Sequence, residues 1–204
     1  VEEMRLFGSL ATKSRRRRTM NDGYAEGTAP LRRVHGELLP HIERLRLVAN
    51  SIGTAPVDHV RQGVKRIHEF LEHELIPHAQ GEDEVLYPAV GQLLGSPLAT
   101  ATMSRDHVAV RELTDELGRL RAQMRSSDLD PTLMNELRRV LYGLYTLIWV
   151  HFAKEQEIYF PMLDEALTRE AATELFERMH EKASAGQWIS RDRDLVTLGR
   201  RPLL

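Results

Sequence analysis

A chain of 204 residues, 28% charged and 42% hydrophobic with a net charge of −2, has the composition of one ordinary globular core and no overall pull toward nucleic acid or a membrane surface. It contains no cysteine, which excludes disulfides, thiolate-ligated iron–sulfur clusters and cysteine nucleophiles. No run approaches the roughly 20 apolar residues of a membrane span; the longest candidate, Leu141 to Val150, is interrupted by Gly143 and Thr146.

Residues 1–28 read as a disordered basic arm, with the run Arg15–Arg18 followed by Asn21-Asp22-Gly23 and Gly27-Thr28. Four basic residues in such an arm are expected to be solvated, with no nucleic-acid or membrane partner. Helix one is expected from about Pro30 to Ile52, on a 4-3 stripe of Leu31, His35, Leu38, Ile42, Leu45, Ala49 and Ile52. Helix two is expected from about Val57 to Leu94, with a stripe of Val64, Ile67, Leu71, Leu75, His78, Glu82, Val85 and Ala89. Pro77 removes a backbone donor inside it, so a kink is expected just before His78. Helix three is expected from about Ala99 to Arg125, carrying Met103, His107, Val110, Thr114 and Leu117 on one face.

A turn follows, with Asp130 placed to cap helix four and Pro131 at its first position. Helix four is expected to reach Leu167 on an unbroken stripe of Leu137, Leu141, Leu144, Ile148, His151, Glu155, Ile158 and Met162. A short fifth helix, about Arg169 to Lys182, is expected to pack outside the bundle, with Trp188 and Ile189 in a tail beyond it. The expected fold is therefore all-α: an antiparallel up-down four-helix bundle over 29–167, with a short helix and tail over 168–204.

One segment occurs twice. HAQGEDEVLYP runs from His78 to Pro88, and HFAKEQEIYFP from His151 to Pro161. Each carries H-x-x-x-E, which puts an imidazole and a carboxylate on the same helix face one turn apart. A lone His precedes each copy, His35 and His107. All six residues, His35, His78, Glu82, His107, His151 and Glu155, fall on the core stripes. Buried unpaired, they would cost several kcal/mol per charge; a pair of bound metal ions offsets that cost. His35 and His78 are expected to ligate one ion and His107 and His151 the other, with Glu82 and Glu155 bridging. Imidazole and carboxylate suit iron, manganese or zinc. His41, His59, His68, His73 and His180 have no counterpart in the repeat and read as surface or hydrogen-bonding residues. Tyr87 reads as core packing, or as a donor to a bridging ligand.

At these residues the chain resembles the hemerythrin-like (HHE cation-binding) family. ELIPHAQGEDEVLYP, Glu74 to Pro88, is similar to that family's second helix, and MSRDHVAVREL, Met103 to Leu113, to its third. The resemblance implies a bundle around a non-haem di-iron centre, two Fe ions with an oxo or hydroxo bridge, held by the six residues above. The family's oxygen carriers have a second His one turn away on the third helix, where this chain has Met103 and Arg111. They also end the fourth-helix motif with Asp, where this chain has Gln156. The departures point away from reversible oxygen carriage. They imply a cytoplasmic protein of the oxidative and nitrosative stress branch. Its partner would be a small oxidant (O2, H2O2 or NO), with a reductase as a further partner; it would act as a peroxide- or NO-processing oxidoreductase. A sensor or iron-binding module without turnover, a reversible oxygen binder, and a purely structural bundle are the alternatives.

Overall fold

The computed structural model describes residues 27–124 and 129–198, with side chains described as far as Ser184. The basic run Arg15–Arg18 and the side chains of Trp188 and Ile189 lie outside the described residues. Five helices follow one another, and there is no strand among the described residues. We label them α1 (Ala29–Ser51), α2 (continuous from Val57 to Leu93), α3 (Ala101–Gln123), α4 (continuous from Pro131 to Ala166) and α5 (Arg169–Leu198).

The first four helices form the bundle. α2 packs on α1 and α3, and α4 packs on α3 and closes the ring against α1. Left-handed backbone at Gly53 (φ 78°) and Gly95 (φ 68°) ends α1 and α2, a conformation that suits a residue without Cβ. Asp130 caps α4 by accepting a 2.9 Å hydrogen bond from the backbone N–H of Leu133, as its sequence position predicts. Thr28, placed in the arm by sequence, is buried against the bundle. Its backbone N–H and its hydroxyl donate to Asp164 at 2.8 and 3.0 Å.

α2 and α4 are not regular. Each widens into π-turns: Leu71–Leu75 and Glu82–Leu86 in α2, and Glu155–Tyr159 in α4. In each, the backbone N–H just after the turn reaches five residues back: Ile76 to Leu71, Tyr87 to Glu82, Phe160 to Glu155. A proline follows at once in all three, Pro77, Pro88 and Pro161. Proline has no N–H and crowds the carbonyl four residues back, so the wider turn gives the ring room without ending the helix. The expected kink before His78 is thus a π-turn.

The π-turns shift the register of the core. The unbroken stripes placed Ala89, Ile158 and Met162 inside. Instead Ile158 is 58% exposed, Ala89 and Met162 are only partly buried, and Leu86, Val90, Phe160 and Leu163 fill the core. A π-turn inserts one extra residue, and one residue rotates everything after it by about 100°.

The core is divided in two. A large apolar cluster, including Ile42, Leu45, Val64, Leu71, Leu117, Leu137 and Leu144, fills one end of the bundle. A smaller one, including Leu31, Leu86, Val90, Met103, Phe160 and Met179, fills the other. The six His and Glu residues singled out by the repeat lie on the helices between them.

The fifth helix is not short. It runs from Arg169 to Leu198, past the Lys182 limit expected from sequence. No proline interrupts the chain from residue 162 to 201, so nothing in the local sequence stops it. It packs against α2 at the repeat itself: a Cβ on Gly81 would stand 2.8 Å from the carbonyl oxygen of Met179. The matching position in the second copy is Lys154.

Candidate metal centre

The structure brings all six sequence-predicted residues together. His35 comes from α1, His78 and Glu82 from α2, His107 from α3, and His151 and Glu155 from α4. Every one is buried, and Glu82, Glu155 and His35 are fully so. Five of them form two groups with the geometry to hold a metal ion, His35/His78/Glu82 and Glu82/His107/His151, with Glu82 common to both. In the first, Glu82 Oε1 lies 2.9 Å from His78 Nε2 and 3.5 Å from His35 Nε2. In the second, Glu82 Oε2 lies 3.4 Å from His107 Nε2, and the His107 and His151 Nε2 atoms are 3.0 Å apart. Glu155 also spans the groups, with Oε2 3.5 Å from His35 Nε2 and Oε1 3.6 Å from His151 Nε2.

These spacings fit a metal. Ligand atoms about 2.1 Å from one ion stand roughly 3.0 to 3.4 Å from each other at octahedral to tetrahedral angles. The inward atoms also lack other partners. His35 Nε2, His78 Nε2, both oxygens of Glu82 and Glu155 Oε2 are buried with no hydrogen bond among the described residues. Orphaned polar atoms at this density are rare in a native core unless something else satisfies them.

The surroundings orient the ring. Asp83 Oδ2 lies 3.1 Å from His107 Nδ1, and Asp106 Oδ2 lies 3.2 Å from His151 Nδ1 and also pairs with Lys154. A carboxylate only accepts, so it favours a proton on Nδ1, the arrangement in which Nε2 is the nitrogen that would face a metal. His35 has Gln156 Nε2 at 3.2 Å from its Nδ1, and its ring stacks on Phe152 at 4.0 Å. Tyr87 points its hydroxyl into the second group. It donates to Glu155 Oε1 at 2.7 Å and lies 3.0 and 3.4 Å from the Nε2 atoms of His151 and His107.

The electrostatics follow from crowding. Burial pushes Glu82 toward neutrality, but His78, His107 and His35 outweigh it and hold its pKa well below the ordinary carboxylate range. Burial pulls His107 down, but Asp83 and Glu82 outweigh it and raise its pKa to about 9. His78 is raised too, because Glu82 overcomes the burial that lowers it. Burial raises Tyr87, and Glu82 and Glu155 add to it, so its hydroxyl keeps its proton at neutral pH.

Beside the centre lies a cavity of about 20 Å³, walled by Leu75, Ala79, Val110, Ile148 and Phe152 and reaching His78, Glu82, His107 and His151. That is room for one very small molecule. A larger groove, about 680 Å³ between α1 and α2 along His41, Arg44, His59, Arg66 and Phe70, is lined by none of the six.

Sequence reasoning passed over Asp83, Asp106 and Gln156 as site residues, and favoured packing for Tyr87. Asp106 stands directly before His107, and Asp83 directly after Glu82. That adjacency was the available signal, but neither residue lies on a core stripe. Tyr87 faces inward because the π-turn Glu82–Leu86 rotates it there. His68, expected at the surface or in a hydrogen bond, is buried, with Nδ1 3.0 Å from Glu72 Oε2.

Fold and site together define a helical bundle with a buried histidine–carboxylate centre suited to metal cations. The model of the hemerythrin HHE cation-binding domain matches residues 26–163, and again residues 98–187, and the chain belongs to that family. Searches of curated proteins and of solved structures gave no match. No helix among the described residues is long and apolar enough to cross a membrane.

Proposed function

We propose that His35, His78, Glu82, His107, His151 and Glu155 hold two iron ions, and that the protein binds and reduces a small oxidant, O2, H2O2 or NO, in the cytoplasm during oxidative or nitrosative stress. One observation carries the reading: four imidazole nitrogens and two carboxylates converge between two apolar clusters, most of their inward atoms unpartnered. Glu82 and Glu155 each present one oxygen to either group, the disposition of a bridging carboxylate.

When bound, the iron pair would supply electrons to the oxidant. This chain's residues do the rest. The mostly apolar cavity walls limit entry to a molecule of a few atoms. Asp106 holds the ring of His151 by a hydrogen bond at Nδ1, and Asp83 places its charge 3.1 Å from Nδ1 of His107. The Tyr87 hydroxyl holds a proton beside Glu155 Oε1, within reach of a ligand in the second group. A reductase partner would restore the reduced state.

The test is metal content per chain with an absorption spectrum, on protein from iron-replete cells, followed by anaerobic reduction and exposure to each oxidant. Two irons per chain and consumption of one oxidant support the proposal. Glu82→Ala should lose the second metal before the first. A variant that keeps two irons and its spectrum, or a wild-type chain that takes up no iron, would overturn it.

A further inference from the structure

The two halves of the centre are related by the repeat, and their differences are informative. The residue after each Glu faces the Nδ1 of the lone His: Asp83 faces His107, and Gln156 faces His35. One half has a carboxylate there and the other an amide. The amide's orientation is set by Arg32, whose Nη1 donates to Gln156 Oε1 at 3.0 Å and to the Gln156 backbone oxygen at 3.2 Å. Arg32 is itself held, donating to Thr28 Oγ1 and to Asp164 Oδ2, each at 3.2 Å. Arginine can only donate, so the amide oxygen must face it and the amide nitrogen must face His35. An amide nitrogen also only donates. His35 Nδ1 therefore accepts, and in the neutral ring the proton sits on Nε2.

Nε2 is the atom aimed at the metal position, 3.5 Å from both Glu82 Oε1 and Glu155 Oε2. A protonated Nε2 cannot ligate. The ring must move its proton to Nδ1, and Nδ1–H then needs an acceptor. That requires the Gln156 amide to turn over and to give up its side-chain bond to Arg32. The second group needs no amide to turn over, since carboxylates stand near Nδ1 of both His107 and His151 and can accept a proton there. The position matching Asp106 in the first half is Val34, which has nothing to offer.

Resting on the di-metal reading above, we infer that Arg32 and Gln156 are positioning residues that hold His35 in the non-ligating tautomer, so that the two metal positions fill in order. The His107/His151 position fills first. The His35/His78 position fills when the amide turns over, which frees Arg32 from the side chain of α4 next to the strap that ties Thr28 to Asp164. The proton only moves between the two nitrogens of one ring, so this step neither takes up nor releases one.

The first measurement uses the metal-free full-length chain, labelled with ¹⁵N-histidine. Long-range ¹⁵N–¹H correlation reads each tautomer directly, with His35 assigned by the signal lost in His35→Gln. The expected result is Nε2–H at His35; Nδ1–H there would overturn the inference, whatever the metal does. The second is an anaerobic Fe(II) titration by calorimetry. Wild type should bind in two steps whose affinities differ by roughly tenfold to a hundredfold. Gln156→Glu offers Nδ1–H an acceptor and keeps Arg32 paired, so the weaker step should tighten by a similar factor and merge with the first. Arg32→Met, which frees the amide, should shift His35 toward Nδ1–H without altering the His107 and His151 signals. Equal wild-type affinities, or two steps unchanged in Gln156→Glu, would refute ordered filling. No iron binding in any variant would sink the di-metal proposal instead, while the tautomer result would still stand by itself.

Discussion

The metal-free protein should lose stability as pH rises from 6.5 to 9.5, and the metal-loaded protein should not. His107 drives the effect. Its pKa is about 9 in the fold, against 6.5 for an ordinary histidine. The folded state holds this proton more tightly than the unfolded state. The contribution is therefore complete below pH 6.5 and is lost as pH climbs through about 9. At about 1.4 kcal/mol per pH unit, the gap is worth on the order of 3 kcal/mol. For a chain of this size that is roughly 6 to 12 °C in Tm. His78 is displaced in the same direction and adds to the trend. Glu82 acts elsewhere: its pKa is held far down, so its contribution is present above pH 4.5 and disappears only in acid. A metal on Nε2 takes the proton's place, so loading should remove the alkaline loss. The assay is thermal melting by circular dichroism of chelator-treated and iron-loaded protein, in half-unit steps from pH 6 to 9.5. His107→Gln should flatten the metal-free curve. A metal-free Tm that is constant or rises across this window, or a slope that survives His107→Gln, would refute the reasoning.

Two further predictions probe packing. Phe160→Ala should cost about 3 to 5 kcal/mol in urea denaturation, because its side chain is fully buried, whereas Ile158→Ala, 58% exposed, should cost under about 0.5 kcal/mol; the reverse order would mean that the π-turn Glu155–Tyr159 is absent. Gly118→Ala puts a Cβ 2.6 Å from His68 Nε2, so the ring must shift; the gain of about 1 kcal/mol that Ala has over Gly inside a helix should appear in full only in a His68→Ala background, and equal effects in both backgrounds would disprove the close contact.

The bundle and the six converging residues were legible in the sequence, because both are properties of local spacing. Apolar residues at the helical period dictate which face turns inward, and H-x-x-x-E places His and Glu one turn apart whatever the helix packs on. Duplication then required two such faces in one core, and burial of so many polar groups demanded a common partner. The register beyond each Glu was not legible. Ile158 and Met162 continue the pattern of α4 without fault, yet a π-turn before Pro161 hands their places to Phe160 and Leu163. The sequence shows the proline but not how the helix accommodates it. The approach of α5 to Gly81 was likewise decided by packing.

What the sequence by itself determined is the identity of the inward-facing His and Glu residues, since a helix of fixed pitch converts spacing into direction. What only the tertiary structure decided is how the two halves of the centre differ. Asp83 meets His107, Asp106 meets His151, Gln156 meets His35 under the hold of Arg32, and Tyr87 reaches Glu155. Each of these contacts joins two different helices. Their geometry depends on how far and at what rotation the helices approach, and no spacing along the chain encodes that.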